Sequence, residues 1–99
     1  MTSAMSSVPP DAQQASLEIK NRLGLHARAA ALFVQTASRF DAEISVAKDG
    51  QTVNGRSIMG VMMLAAEQGS SIDVTATGPQ AAEALEAIRA LVEARFNEE

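Results

Sequence analysis

The only histidine of the chain, His26, stands where an extended apolar segment gives way to an alanine-rich one. Just before it, Gly24 lets the backbone turn sharply, because glycine has no Cβ to restrict φ. The run that begins at Ala27 favours a helix, since alanine has the highest helix propensity. His26 is therefore predicted at a helix N-terminus, where unpaired N–H groups and the helix dipole favour an anion, and Arg28 adds positive charge there. A nucleophilic imidazole beside an anion-binding helix end indicates a phosphate carried on histidine.

A second candidate is Ser57, which precedes the apolar run of residues 58–66. Serine is a preferred N-cap residue, so Ser57 is predicted to begin a helix. A phosphate at a helix N-terminus is electrostatically tolerated, so modification of this serine need not unfold the helix. A short helix that is apolar on all sides buries one face and exposes the other. Methionine is adaptable, which suits a surface that docks several partners. We call this exposed face, together with Ala27 next to His26, the docking patch: Ala27, Ile58, Met59 and Met62.

Each of these residues also has a plainer interpretation. A single histidine more often has a structural or merely exposed role, and Arg28 is alternatively an ordinary solvated charge on a helix. Ser57 is an N-cap whether or not it is also a switch. The docking patch is alternatively part of the core, although Val61 and Leu64 are the residues that we expect to be buried from that helix.

The composition excludes several classes of protein. A chain of 99 residues suits one domain with a real core, but not two. Its net charge is −4, and it lacks a cluster of Lys and Arg, which argues against a nucleic-acid partner. Cysteine is absent, so there is no thiol nucleophile or thiolate metal site, and we expect neither a metal nor another cofactor. A self-sufficient enzyme is disfavoured, because no glycine-rich nucleotide loop or pair of catalytic carboxylates accompanies the histidine.

Targeting signals are also missing from the sequence. No apolar run approaches the roughly 20 residues of a membrane span. The first residues lack the basic region and apolar core of a signal peptide. We therefore expect a cytoplasmic protein without membrane insertion.

Alternation of apolar and polar residues predicts four strands. The first begins near Ala15, and two others contain Ile44 and Ile72. Residues 49–50, Asp-Gly, predict a tight hairpin turn, after which residues 52–54 form a short return strand.

Apolar residues at helical spacing predict three helices. One follows His26, one follows Ser57 and has Gly69 as its C-cap, and one is opened by residues 78–79, Gly-Pro. The economical arrangement of these elements is one sheet covered on a single face by the helices. Residues 1–15, rich in Ser, Ala, Pro and Gln, are predicted to be a flexible extension, and residues 16–99 the folded domain.

With this order of elements, the chain resembles the HPr family, the histidine-containing phosphocarriers of the bacterial phosphotransferase system. The resemblance covers about residues 16–95. Residues 21–28, NRLGLHAR, match the family's active-site segment, and residues 54–60, NGRSIMG, match its regulatory-serine segment. The resemblance implies an α/β (α+β) fold, an open-faced β-sandwich in which a four-stranded antiparallel sheet is covered on one face by three helices (βαββαβα).

The resemblance also implies partners. His26 is expected to receive a phosphoryl group on Nδ1 from enzyme I, which takes it from phosphoenolpyruvate, while Arg28 neutralises the phosphoryl oxygens. The group then passes to an A-type component of enzyme II for sugar transport, or to the paralogous nitrogen-related (NPr-type) branch. Ser57 is expected to be the target of an HPr serine kinase/phosphorylase where one exists. The carrier is expected to be a monomer.

Position 29 departs from the family pattern, because an alanine stands where the family usually has proline directly after the arginine. Ala29 restores a backbone N–H and frees φ, which either adds a donor for an anion or loosens the turn. The intact His26 and Arg28 favour a retained function. The competing interpretation is a small regulatory or binding module of the same fold that has lost phosphoryl transfer.

Overall fold

A computed structural model describes residues 12–98, which form four strands and three helices in the predicted order βαββαβα. The elements are β1 (Ala12–Glu18), α1 (Ala27–Ala37), β2 (Glu43–Lys48), β3 (Gln51–Asn54), α2 (Ile58–Met63), β4 (Ser71–Thr77) and α3 (Ala81–Glu93). A single left-handed turn, Arg95–Asn97, follows α3.

The strands form one antiparallel sheet in the order β1-β4-β2-β3. β2 and β3 are joined by the predicted tight turn, in which Asp49 and Gly50 both have positive φ, at 51° and 83°. Turns of this kind match the twist of the strands that they join. The predicted class, an open-faced sandwich with a four-stranded antiparallel sheet, is confirmed.

The core lies between one face of the sheet and the helices. Along β4, the buried Ile72 and Val74 alternate with the exposed Ser71 and Asp73, which places one face of the strand inward. Burying a large apolar side chain of this kind stabilises the fold by about 1.5–3 kcal/mol. The largest helical side chains that are fully buried against the sheet and one another are Phe33, Val61, Ile88 and Val92.

The predicted boundary between an extension over residues 1–15 and a domain over residues 16–99 is wrong for residues 12–15, which belong to β1. Their backbones pair with β4, from Ala12 opposite Thr77 to Ala15 opposite Val74. The Gln14 amide also donates to the Thr75 hydroxyl at 3.1 Å. This part of the strand carries exposed polar side chains, so an alternation of apolar and polar residues does not reveal it. The remaining residues of the predicted extension, 1–11, lie outside the described part of the chain.

Two predicted helix ends are also wrong. Helix α2 ends at Met63 rather than near Gly69, and Ala65, with a φ of 51°, takes the left-handed position that usually favours glycine. The chain turns there because Leu64 and Ala66 are both buried. Helix α3 begins at Ala81, after the Gly-Pro pair that was predicted to open it.

Within residues 12–98, no helix combines the length and the apolar character that crossing a membrane requires.

Gly24 offers a test of how tightly the segment before α1 is packed. Its φ is +67°, and a Cβ built on it would lie 2.3 Å from the Ala66 carbonyl oxygen. Gly50 is the matched control, because its φ is +83° but a Cβ there meets nothing within 4 Å. Both alanine substitutions strain the backbone by about 1–2 kcal/mol. We expect Gly24→Ala to lower the free energy of unfolding by about 1–3 kcal/mol more than Gly50→Ala, because only the former is overpacked. Equal losses in urea denaturation would contradict the close approach.

Candidate functional site

His26 is the N-cap of α1, as the sequence predicted. Its backbone is extended, with φ −75° and ψ −179°, and its carbonyl accepts the Ala30 N–H at 2.8 Å, the first bond of the helix. Its Nδ1 lies 3.3 Å from the backbone nitrogen of Arg28 and accepts that N–H. The imidazole thus satisfies one of the donors that a helix N-terminus leaves unpaired.

The segment before His26 is tied to the segment that follows α2. Leu25 is buried, and its N–H donates to the Ala66 carbonyl at 2.9 Å. Asn21 is fully buried and donates from Nδ2 to the Gly24 carbonyl at 2.8 Å. These bonds hold the backbone on which the imidazole stands, while 28% of the His26 side chain stays accessible.

Glu98 reaches the same imidazole from the far end of the described chain. Its Oε2 lies 2.5 Å from Nε2 of His26, and its Oε1 accepts the Asn21 amide at 3.1 Å. The left-handed turn brings it there, because Arg95, Phe96 and Asn97 all have positive φ, between 53° and 60°. Phe96 is fully buried and anchors this turn in the core.

The site combines cationic groups with one carboxylate. A shallow cleft is lined by Arg22, Leu23, His26, Arg28, Asn97 and Glu98. Burial alone raises the pKa of the Glu98 carboxyl, but the hydrogen bonds from His26 and Asn21 and the charges of His26 and Arg28 together lower it below its ordinary value. Glu98 is therefore ionised at neutral pH. Its carboxylate is protonated, and its contact with His26 weakened, only in acidic solution.

Arg28 is the second residue of α1, and its side chain is exposed beside the cleft. Ala29, the third residue, is fully buried. Its N–H belongs to the first turn of the helix, where backbone donors have no carbonyl partner within the helix.

Ser57 is the N-cap of α2, as predicted, and its Oγ accepts the Gly60 N–H at 3.0 Å. It is half-buried. The turn before it is held by Arg56, whose guanidinium donates to the carbonyls of Phe40 at 2.8 Å and Ala42 at 2.6 Å. The turn that precedes Ser57 is thus tied to the segment just before β2.

The docking patch is exposed in the structure. Ile58, Met59 and Met62 are 43%, 68% and 37% accessible, and Ala27 is also exposed. Val61 of α2 and Leu64, the C-cap residue that follows it, are buried, as expected. Two further exposed apolar residues, Leu23 and Met63, escaped the sequence interpretation. Helices α1 and α2 pack against each other, so the patch spans adjacent elements.

Two polar residues of the site were missed. Asn21 opens the matched segment of residues 21–28, but its type and position did not show that it is buried and holds other groups of the site. Nothing near His26 in the sequence points to Glu98, which is 72 residues away. The only signal in the sequence is Phe96, which lies just beyond the amphipathic helix α3 and indicates a further buried contact. Among the described residues, no group of three or more potential metal-ligating side chains is found.

The fold and the site together define a small open α/β sandwich whose histidine caps a helix. A family model described as the PTS HPr component phosphorylation site matches residues 13–94. The chain is 51% identical over 83 residues to the phosphocarrier protein HPr of Neisseria meningitidis serogroup B, a match that covers 84% of this chain and 93% of that protein.

Two further relatives extend the comparison. The crystal structure of HPr-C-His from Thermoanaerobacter tengcongensis superposes with a TM-score of 0.85 at 49% identity, covering 88% of this chain and 98% of that one. The HPr-like protein Crh of Halalkalibacterium halodurans is 51% identical over 77 residues, 78% of this chain and 92% of that protein. The chain belongs to the HPr family of phosphocarriers of the phosphotransferase system.

The place of Ala29 in the helix predicts that proline is tolerated there. We expect Ala29→Pro to change the free energy of unfolding by no more than about 1 kcal/mol, because the first turn spares an N–H. Ala30→Pro is the matched control one residue later, where the N–H donates to His26 at 2.8 Å. Proline at position 30 removes this hydrogen bond and should lower the free energy of unfolding by about 3 kcal/mol. Chemical denaturation of both variants makes the comparison, and similar losses would show that α1 begins elsewhere.

Proposed function

We propose that the chain is a phosphocarrier that accepts a phosphoryl group on His26 from phospho-enzyme I and passes it to A-type components of enzyme II. The observation that carries the proposal is the Arg28 N–H directed at Nδ1 of His26. A nitrogen that accepts a hydrogen bond offers an electron pair, which is what attack on phosphorus requires. Membership of the HPr family supports the same reaction.

Transfer is a displacement between two nitrogens. The electron pair of Nδ1 forms a bond to phosphorus as the phosphorus–nitrogen bond of the donor histidine breaks, and that pair stays on the donor nitrogen. The N–H groups at the start of α1 and the Arg28 guanidinium then face the phosphoryl oxygens. A helix N-terminus favours an anion by about 0.3–1 kcal/mol, up to about 2 kcal/mol when partly buried. That preference is small enough to let a carrier release its cargo.

The acceptor belongs either to the sugar-transport branch or to the nitrogen-related branch of the phosphotransferase system. The chemistry at His26 is the same in both. The proposal includes a cytoplasmic location and a monomeric carrier, as the sequence led us to expect. A second candidate function is a regulatory module without phosphoryl transfer, favoured by the similarity to the HPr-like protein Crh. Labelling with enzyme I separates the two.

Incubation with enzyme I and ³²P-labelled phosphoenolpyruvate should place an acid-labile, base-stable label on the wild-type protein. His26→Asn should take no label, although asparagine can still cap the helix. Arg28→Ala should be labelled at least tenfold more slowly, with a loss of stability of about 0–1 kcal/mol, as for a surface charge.

Arg22→Ala is the matched control, because Arg22 is exposed and lines the same cleft. It should be labelled at nearly the wild-type rate. Stable label on His26→Asn would refute the acceptor assignment, and equal rates for Arg28→Ala and wild type would refute the role of Arg28. An unlabelled wild-type protein in a working relay would favour the regulatory module.

We propose in addition that Ser57 is a control site acting on the docking patch. A phosphate there adds about −1.5 to −2 charges beside Ile58 and Met59. Desolvating such a charge against an apolar partner surface costs several kcal/mol, and each 1.4 kcal/mol is about tenfold in affinity. The agent would be an HPr serine kinase/phosphorylase, and the partners affected would be enzyme I and the A-type components.

Ser57→Asp should therefore slow phosphorylation of His26 by enzyme I while keeping the fold, because a carboxylate is also a good N-cap. Ser57→Ala should do the reverse, with near-normal transfer and a loss of about 1 kcal/mol of stability. Ser16→Asp adds the same charge at an exposed position on β1 and should transfer normally. Transfer by Ser57→Asp at the wild-type rate would leave Ser57 as a cap only.

A further inference from the structure

The imidazole of His26 has a fixed partner on each ring nitrogen. Nε2 lies 2.5 Å from the Glu98 carboxylate, and Nδ1 lies 3.3 Å from the backbone nitrogen of Arg28. An ionised carboxylate only accepts hydrogen bonds, and a backbone N–H only donates them. A neutral ring meets both requirements in one tautomer, with the proton on Nε2 and the electron pair on Nδ1.

The Glu98 carboxylate is itself held in place. Its second oxygen accepts the Asn21 amide at 3.1 Å, and the same amide donates to the Gly24 carbonyl at 2.8 Å. Asn21 is fully buried, and only 13% of the Glu98 side chain is accessible. Asn21 thus holds the Glu98 carboxylate and belongs to the same segment that carries His26, so the carboxylate and the ring are positioned together.

The backbone that delivers Glu98 is also anchored. The Asn97 N–H donates to the Ala94 carbonyl at 3.0 Å, and the Glu98 N–H donates to the Arg95 carbonyl at 2.9 Å. Phe96, in the middle of the same turn, is fully buried. Glu98 therefore differs from an exposed surface partner, which would lose its geometry to side-chain motion.

We propose that Glu98 is a positioning residue for phosphoryl transfer, whose carboxylate holds the Nε2 proton and so presents the electron pair of Nδ1 at the helix N-terminus. This role rests on the proposed function, whereas the choice of tautomer does not. The arrangement parallels carboxylates that orient a histidine through its other nitrogen in hydrolase triads and metal sites.

The carboxylate also faces the charge that the transfer creates. As Nδ1 bonds to phosphorus and the donor's phosphorus–nitrogen bond breaks, Nε2 keeps its proton and the ring takes up positive charge. Among the described residues that line the cleft, Glu98 is the acidic side chain, and Arg22 and Arg28 are the cationic ones. A negative charge opposite Nε2 stabilises the ring more strongly during transfer than before it.

The test is to compare Glu98→Gln with the wild-type protein and with Glu86→Gln, which removes the same charge from an exposed position on α3. The ¹⁵N chemical shifts of both ring nitrogens are measured without enzyme I, in alkaline solution at a pH above which the shifts no longer change. A glutamine amide both donates and accepts, so it permits either tautomer. We expect Glu98→Gln to raise the population of the tautomer with the proton on Nδ1 several-fold.

The same variants are then phosphorylated with enzyme I. Glu98→Gln should lower kcat by about tenfold, because a charge-assisted hydrogen bond to the ring is about twice as strong as a neutral one. The KM for the carrier should stay nearly constant, because the change acts on the ring and not on the surface that binds enzyme I. Glu86→Gln should match the wild type in both measurements. Circular dichroism confirms that each variant is folded.

Unchanged ring shifts in Glu98→Gln would overturn the proposal. A change in the shifts accompanied by faster phosphorylation would also overturn it, because the carboxylate would then be an obstacle to the entering group. If the shifts respond to Glu98 but the wild-type protein takes no phosphoryl group, the proposed function fails and the control of the tautomer stands.

Discussion

The left-handed backbone at Gly24 lies directly against the Ala66 carbonyl, and the position of His26 depends on this close approach. The same carbonyl accepts the Leu25 N–H, so the two residues before the histidine are fixed to the chain that leaves α2. Because α2 packs on α1, the helix N-terminus and the imidazole are fixed relative to each other and to the sheet. The histidine itself keeps an ordinary extended backbone. The special conformation is placed at a glycine, which tolerates it, and the imidazole of His26 is positioned without backbone strain of its own.

The two nitrogens of the His26 ring have neighbours of different kinds. Nδ1 faces the backbone donors and positive charge of a helix N-terminus, while Nε2 faces the carboxylate of Glu98. An anion is therefore favoured on one edge of the ring and a proton on the other. Each preference is moderate, because part of the ring remains accessible and water weakens the electrostatics. Moderate interactions of this kind suit a member of a phosphocarrier family better than a deep site would, because a carrier has to release the group that it binds.

Features set by neighbouring residues could be predicted from the sequence, and features set by distant ones could not. The caps at His26 and Ser57 and the hairpin turn at Asp49 depend on local chemistry that each residue type carries with it. The start of β1 was missed because its polar side chains lie on the exposed face, where only backbone pairing with β4 defines the strand. The contact of Glu98 with His26 was missed because it needs a left-handed turn without a single glycine. The burial of Phe96 helps to hold that turn, and burial is a property of the assembled core.

The order of the strands has a consequence for how this site comes into being during folding. β2 and β3 meet across a turn of two residues, whereas β1 and β4 are joined by contacts such as that of Gln14 with Thr75, 61 residues apart. Contacts that close long loops cost more chain entropy and slow folding. The bond between His26 and Glu98 spans 72 residues, so it closes one of the longest loops in the described chain. A chain that has folded only its hairpin and helices has a capped α1 but a histidine whose Nε2 still faces water. The surroundings of Nε2 of His26 therefore become complete only when both ends of the described chain have reached their places.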